Sequence, residues 1–449
     1  MIKKRLRVLL IAHEFSPTQG SECAEGWNVA TRLAKYHNIT VLFASGSQSN
    51  HSGYISAVKK YLSTIEPIYG LTLVNVDQPR VTKLISFTNK IFSKLGAIGL
   101  PILYYLGYKY WQKAAFTVAK KLHKQENFDV VHQLTQIAFR EPGTWWKLNI
   151  PYFWGPTGGI TTLPKEFYKL LSKKTKLLEH VRTFSNYSQF KFSSRVINAN
   201  KTAAIIYAFS LEDAVILKKR AGGNVKLMLD AASTNHNGKF QNTTTKAEIL
   251  RGVWCGQLIE RKAATILLKA LALDEITRNR VQFQIIGNGP LEKILHDEAR
   301  NLGLNNIEWI QNVDRQTLFK LMGEADFFVH TSIREATSNV IPEALSTGLP
   351  VICHNANGMS IAINESCGIK IPFESPEKSI FGFHEAIKSL ILNASFLGQL
   401  KKGAMARSLE ISWDKMAETF ANDYGEIVTR PLNNYLNKEH SVNYENTAN

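Results

Sequence analysis

Short runs of aliphatic and β-branched residues recur along the first 230 positions, each followed by a longer stretch in which apolar side chains return every three or four residues. The runs are RVLLIA (7–12), ITVLFA (39–44), LTLVNV (71–76), DVVHQL (129–134), PYFWG (151–155) and AAIIYAF (203–209). Strands that are apolar throughout are buried on both faces, and their alternation with helical stretches predicts a parallel sheet covered by helices. Residues 231–248, AASTNHNGKFQNTTTKAE, break the alternation with a polar, Asn- and Thr-rich stretch of no period, which reads as a linker. The pattern then restarts with LRGVWCG (250–256), VQFQIIG (281–287), IEWIQNV (307–313), DFFVHTS (326–332) and PVICH (350–354). It predicts two doubly wound α/β units, at 1–230 and 249–411. An amphipathic helix at 412–430, capped by Ser412, is expected to pack back on the first unit, with a polar, disordered tail at 431–449. Ligands of such sheets lie at the C-terminal ends of the strands, so two facing units leave a cleft between them.

A chain of 449 residues also exceeds the roughly 250–300 at which single cores stop growing. Between the third and fourth strands, residues 83–124 mix Lys with Phe, Leu, Tyr and Trp at helical spacing. Two readings of this insertion stand level: its apolar face lies on a membrane surface, or it packs on its own domain. The longest uncharged stretch there, Leu95 to Tyr108, is too short to span a bilayer. The apolar run at the start, Val8 to Ala12, is likewise too short for a secretory signal and reads as a strand. Four cysteines without a CxxC pair point to a reducing, cytoplasmic setting and to no structural metal site.

The net charge of +17 changes the picture once it is located. Residues 1–200 hold 27 Lys and Arg against 10 Asp and Glu, whereas residues 201–449 hold 27 of each. An excess confined to one half calls for an anionic partner, either lipid headgroups on the inner face of the membrane or a phosphate-bearing acceptor. No zinc-finger spacing, RNP-like string or basic zipper supports nucleic acid.

The candidate chemistry concentrates in REATSNVIPEALSTGLPVI, where Glu335 and Glu343 lie eight apart. The backbone N–H groups of the turn formed by Ala336, Thr337, Ser338, Asn339 and Val340 face whatever lies over the start of the following helix, a site for a diphosphate. The flanking carboxylates suit vicinal hydroxyls, Glu335 those of a transferred sugar and Glu343 those of a ribose. On spacing alone two glutamates mean little.

This segment closely resembles the E-x7-E signature of retaining glycosyltransferases of family 4, whose GT-B fold sets two Rossmann-like domains face to face. Further resemblances follow in order. WCGQLIERKAATILLKAL places Gly256, Gln257 and Lys262 beside the donor phosphates, with Gln257 where the family usually has Arg, so that Lys262 carries the charge. IIGNGP places Gly287, Asn288 and Gly289 in a turn that lets the backbone approach the nucleotide. Asn357, Gly358 and Met359 form a loop on the donor side. HEFSPTQGSECAEGW resembles the loop after the first strand, with Gly20 near the diphosphate, and His132 ends the fourth strand where relatives often have a histidine near the reacting sugar. WGPTGG (154–159), with Arg140 and Glu141 before it, resembles a subgroup associated with surface polysaccharide assembly.

The resemblance implies transfer of a sugar from a nucleotide diphosphate to a saccharide or lipid-linked acceptor with retention of configuration. It implies neither a cofactor nor a metal, and no Asp-x-Asp occurs. Two rivals are a nucleotide-sugar epimerase of similar fold and a catalytically silent, membrane-associated assembly partner.

Overall fold

In the computed structural model, which describes residues 4–20, 22–47, 52–91, 100–234 and 248–429, the chain forms two α/β domains, each around one parallel sheet. The strands of the first are β1 (Arg7–Ala12), β2 (Asn38–Ala44), β3 (Leu71–Val76), β4 (Val130–Thr135), β5 (Tyr152–Thr157), β6 (Ile205–Ala208) and β7 (Asn224–Leu227), in the order β3-β2-β1-β4-β5-β6-β7. Those of the second are β8 (Leu250–Cys255), β9 (Val281–Ile286), β10 (Ile307–Ile310), β11 (Phe327–His330), β12 (Val351–His354) and β13 (Gly368–Ile371), in the order β10-β9-β8-β11-β12-β13. In each sheet the winding reverses beside the first strand, between β1 and β4 and between β8 and β11, where a doubly wound sheet opens its ligand crevice.

The first domain carries α1 (Glu22–Leu33), α2 (Gly53–Leu62), α3 (Arg80–Ile91), α4 (Pro101–Glu126), α5 (Lys173–Phe192), α6 (Ser194–Thr202) and α7 (Leu211–Lys218). The second carries α8 (Ala264–Leu271), α9 (Glu275–Asn279), α10 (Glu292–Asn301), α11 (Arg315–Glu324), α12 (Val340–Ser346), α13 (Met359–Ala362), α14 (Pro376–Leu392) and α15 (Ala394–Glu410). The last helix, α16 (Trp413–Thr429), returns to the first domain. Most of the proposed linker, 235–247, and the proposed disordered tail, 431–449, lie outside the described residues.

The interior strands form where the sequence reads as strand because both their faces are buried, β1, β4 and β5 almost entirely. The edge strands β7 and β13, which the apolar pattern does not show, are part-exposed and take their places by pairing with β6 and β12. The insertion after β3 is buried in one part and exposed in another. On α4, Tyr108, Trp111, Ala115 and Ala119 fall on one helical face and are wholly buried in the domain core. On α3, Leu84, Phe87 and Ile91 are exposed.

Two stretches tie the domains together. After β5 the chain crosses to the second domain, where Leu163, Phe167 and Leu171 enter its core and Phe167 stacks on Phe373 at 4.3 Å. There the Ser172 N–H donates to Glu260 (3.1 Å) and Lys169 pairs with Glu377 (3.0 Å). At the other end, Ser233 exchanges backbone hydrogen bonds with Ile411 and Trp413 at 3.1 Å each, which launches α16 onto the first sheet. Trp413, Met416, Phe420 and Tyr424 then join the core of the first domain.

His132 of β4 secures that return. Its Nδ1 lies 2.5 Å from the Tyr424 hydroxyl and its Nε2 2.6 Å from the Gly155 carbonyl, and Phe420 packs edge-on against the ring at 4.9 Å. Burial lowers its pKa to about 4 against the favourable carbonyl of Gly155, so the ring is neutral at pH 7. Tyr424→Phe should therefore cost about 1–2 kcal/mol, because it leaves a buried nitrogen without its partner. Thermal denaturation followed by tryptophan fluorescence should show a melting temperature lower by roughly 2–4 °C; an unchanged value would mean that this contact does not hold α16 in place.

Candidate active site

The strand ends of the second domain bring Arg261, Lys262, Glu335 and Ser338 into contact. β8 runs into a short 3-10 turn, Glu260–Lys262, that carries the two cations side by side. Its backbone is pinned because Thr331 donates to the Lys262 carbonyl (2.7 Å) and accepts from the Trp254 indole (3.0 Å). The Lys262 ammonium lies 2.5 Å from Glu335 Oε2 and 3.5 Å from the Ser338 hydroxyl, and the Arg261 guanidinium lies 2.8 Å from the same Oε2. Burial by itself would raise the Glu335 carboxyl. The Lys262 and Arg261 charges outweigh that and hold it at about 2, so it is fully ionised at neutral pH.

Glu343 sits eight residues on, inside α12, and its Oε1 pairs with Arg315 at 3.0 Å. Burial raises its carboxyl against the Arg315 charge. Burial pushes the Cys255 thiol at the end of β8 up to about 12, with the Glu343 charge raising it further and the Lys262 charge lowering it. The helix starts at Val340, so residues 336–339 form the turn before it and not its first turn. One N–H of that turn is already engaged, since Thr337 donates to Asp230 Oδ1 of the first domain at 2.8 Å. Burial raises the Asp230 carboxyl to about 6 despite that bond.

Three expected features take a different form. Gly287 and Gly289 are required by the protein itself. A Cβ on Gly287, whose φ is +135°, would collide with the Gly256 carbonyl, and one on Gly289 with that of Leu258. The loops after β8 and β9 run against each other here, joined by Leu258 N–H to the Asn288 carbonyl at 2.9 Å. Asn288 itself accepts through its side chain from Asn312 (3.0 Å). Gln257 is exposed, and the cation its position lacks has a counterpart in Arg261, four residues later. His132, with both ring nitrogens engaged by Tyr424 and Gly155, is a clamp within the first domain and does not join the group around Glu335.

Gly358 packs on the turn, its N–H donating to the Ala336 carbonyl at 3.2 Å. Gly20 lies exposed at the tip of the loop after β1, with nothing within 4 Å of where its Cβ would be. That loop and the start of α1 hold carboxylates the sequence reading passed over. Glu14 pairs with His13 at 2.8 Å, and buried Glu25 is pushed well above the usual carboxylate range by desolvation and by the charges of Asp230, Glu22 and Glu14. Their signal was in the charge distribution: three of the ten carboxylates in residues 1–200 fall between 14 and 25.

The pKa of Glu335 also carries stability. It is depressed from the ordinary 4.5, so its contribution is complete above about pH 4.5 and lost as the pH falls towards 2. Glu335→Gln should be less stable than the parent by about 3 kcal/mol at pH 6, and the difference should shrink steadily below about pH 5. Urea denaturation across that range measures it; a difference independent of pH would remove the electrostatic weight assigned to the cluster.

Residues 244–406 match the family described as Glycosyl transferases group 1. The chain is similar to an uncharacterized glycosyltransferase of Methanocaldococcus jannaschii, at 26% identity over 174 residues, 38% of this chain and 44% of that protein. It is also similar to the D-inositol 3-phosphate glycosyltransferase of Streptomyces bingchenggensis, at 28% identity over 188 residues, 39% of this chain and 40% of that protein. The matches thus span less than half the length of these relatives. Among solved structures, HepE of Anabaena in complex with UDP and glucose superposes over 94% of this chain and 100% of its own, with a TM-score of 0.55 and 16% identity. Most of the second domain thus matches the group 1 glycosyltransferases, in a chain with the GT-B fold of two Rossmann-like domains.

Proposed function

We propose that this chain is a retaining glycosyltransferase that moves a sugar from a nucleotide diphosphate to a saccharide or lipid-linked acceptor, in the assembly of a surface polysaccharide. The observation that carries the reading is the charge left over beside the strand ends. Arg261 and Lys262 share one carboxylate, Glu335. The adjacent Arg334 shares the buried carboxylate of Glu179 on α5 with Arg182. With Asp230, which Thr337 holds against the same turn, four cations face three carboxylates and leave one positive charge beside the strand ends, to which the turn adds its N–H dipoles, and this suits a diphosphate.

Each residue then has a task. Lys262 and Arg261 meet phosphate oxygens, while the turn at 336–340 offers backbone N–H groups other than that of Thr337. Glu335, held ionised and oriented by its two cations through Oε2, accepts from sugar hydroxyls, and Glu343 accepts from the ribose. Gly256 lies beside Lys262, where a Cβ would come into ordinary contact with the lysine stem at 3.6 Å. Fixed cations and dipoles stabilise the charge that develops on the leaving diphosphate. The acceptor hydroxyl enters from the side of the departing phosphate and gives its proton to a phosphate oxygen, so no protein nucleophile is needed. HepE was solved with UDP and glucose, which makes a uridine nucleotide the first donor to try.

UDP-, GDP-, ADP- and TDP-sugars should be compared by thermal shift. One nucleotide class should stabilise the protein, by about 2.7 kcal/mol at a hundredfold excess over its dissociation constant. Lys262→Ala should abolish the shift. Glu335→Ala should lower transfer by about a hundredfold or more while the protein still unfolds cooperatively. Absence of any shift would favour the silent assembly partner, and turnover without an acceptor would favour the epimerase.

A further inference from the structure

The most unusual surface of the first domain is apolar. On α3, Leu84, Phe87 and Ile91 recur at helical spacing, with Phe87 69% exposed; at the start of α4, Ile102 is 79% exposed. On α5, Val181 and Phe184 lie on one stripe, with Phe184 74% exposed. Soluble surfaces scatter such residues singly, and stripes of them mark a contact.

The charge around the stripes selects the partner. α3, α4 and α5 carry three, five and five Lys and Arg residues against two carboxylates, Glu126 at the far end of α4 and Glu179. Glu179 is buried under Arg182 and Arg334, so the exposed face of α5 carries no carboxylate. α3 has no carboxylate, and its Lys83 and Lys90 are exposed. A protein partner or a second copy of this basic domain would have to offset that charge, whereas an anionic bilayer accepts apolar side chains and lysines together. Among the described residues no helix is long and apolar enough to cross a membrane, so these helices are suited to lying on one.

The stripes also lie on the cleft side. α4 has 26 residues and spans about 39 Å, while β4 has six and spans about 20 Å. α4 ends where β4 begins, so its first half overhangs the C-terminal edge of the sheet. α3 is bound beside that half, with Thr82 donating to the Gly107 carbonyl (3.1 Å) and Asn89 accepting from the Leu100 N–H (2.8 Å). Arg140 bridges the Tyr105 hydroxyl of α4 (3.3 Å) and Asn186 of α5.

We propose that α3, the start of α4 and α5 form a docking surface for an anionic lipid bilayer, which sets the mouth of the cleft on the membrane so that the acceptor is taken from its plane. The last clause rests on the transferase reading; the docking does not.

Co-sedimentation should be measured with vesicles of phosphatidylcholine alone and of phosphatidylcholine with about one-third phosphatidylglycerol. The wild-type protein should bind the anionic vesicles at least about tenfold better. The double variants Leu84→Glu/Phe87→Glu and Val181→Glu/Phe184→Glu should each lose about tenfold in binding. Equal binding to both vesicles, or variants that bind like the parent, would overturn the proposal. So would self-association that the variants abolish without any vesicle binding, which would make a second copy the partner. The nucleotide thermal shift, measured on the same proteins, separates the two ideas. A shift without vesicle binding overturns the docking alone, and vesicle binding without a shift overturns the transferase reading alone.

Discussion

One half-buried carboxylate, that of Glu335, organises the second domain's strand ends. A carboxylate this enclosed is tolerated only when cations and hydrogen-bond donors replace water, and Lys262 and Arg261 supply them from a turn that Thr331 and Trp254 hold in place. The arrangement works in both directions. The carboxylate keeps a buried lysine and a half-buried arginine fixed, and they keep the carboxylate ionised and aimed. The loops after β8 and β9 cross close enough beside it to require glycine at 287 and 289.

The second constraint is that the site is shared between domains. Arg334, next to Glu335 in the chain, is gripped by Glu179 of α5, and Thr337 is gripped by Asp230 at the end of the first domain. The stretch between β5 and α5 is itself rooted in the core of the second domain through Phe167. A displacement of α5 therefore acts directly on residues flanking Glu335. The same helix carries exposed apolar and basic residues outward, so one element joins the group around Glu335 to the surface proposed for lipid.

The interior strands were legible because burial on both faces writes itself as an unbroken apolar run, and the glycines, Lys262 and the two glutamates were legible because a family resemblance ordered them. Edge strands β7 and β13 were not, since half-exposed pairing leaves no such run. The steric need for Gly287 was not legible either: a glycine in a turn looks the same whether it makes room for a nucleotide, for another loop or for both. Arg261 and Asp230 were overlooked because a charged residue beside a turn or a linker has no distinguishing pattern. His132 had the right place in the strand order, yet only α16, arriving from nearly 300 residues away, shows that both its nitrogens are spent.

By itself the sequence determined the two doubly wound units, the division of charge between them and the segment in which the carboxylates and cations of the site lie. These follow from local periodicity, from composition and from motifs contiguous in the chain. Tertiary structure alone decided which cations meet Glu335, that Asp230 and Glu179 reach across from the other domain, and which apolar residues of the insertion are buried or left in solvent. Those outcomes depend on how faces distant in sequence are brought together, and a helix with two apolar faces does not record which of them the domain will cover.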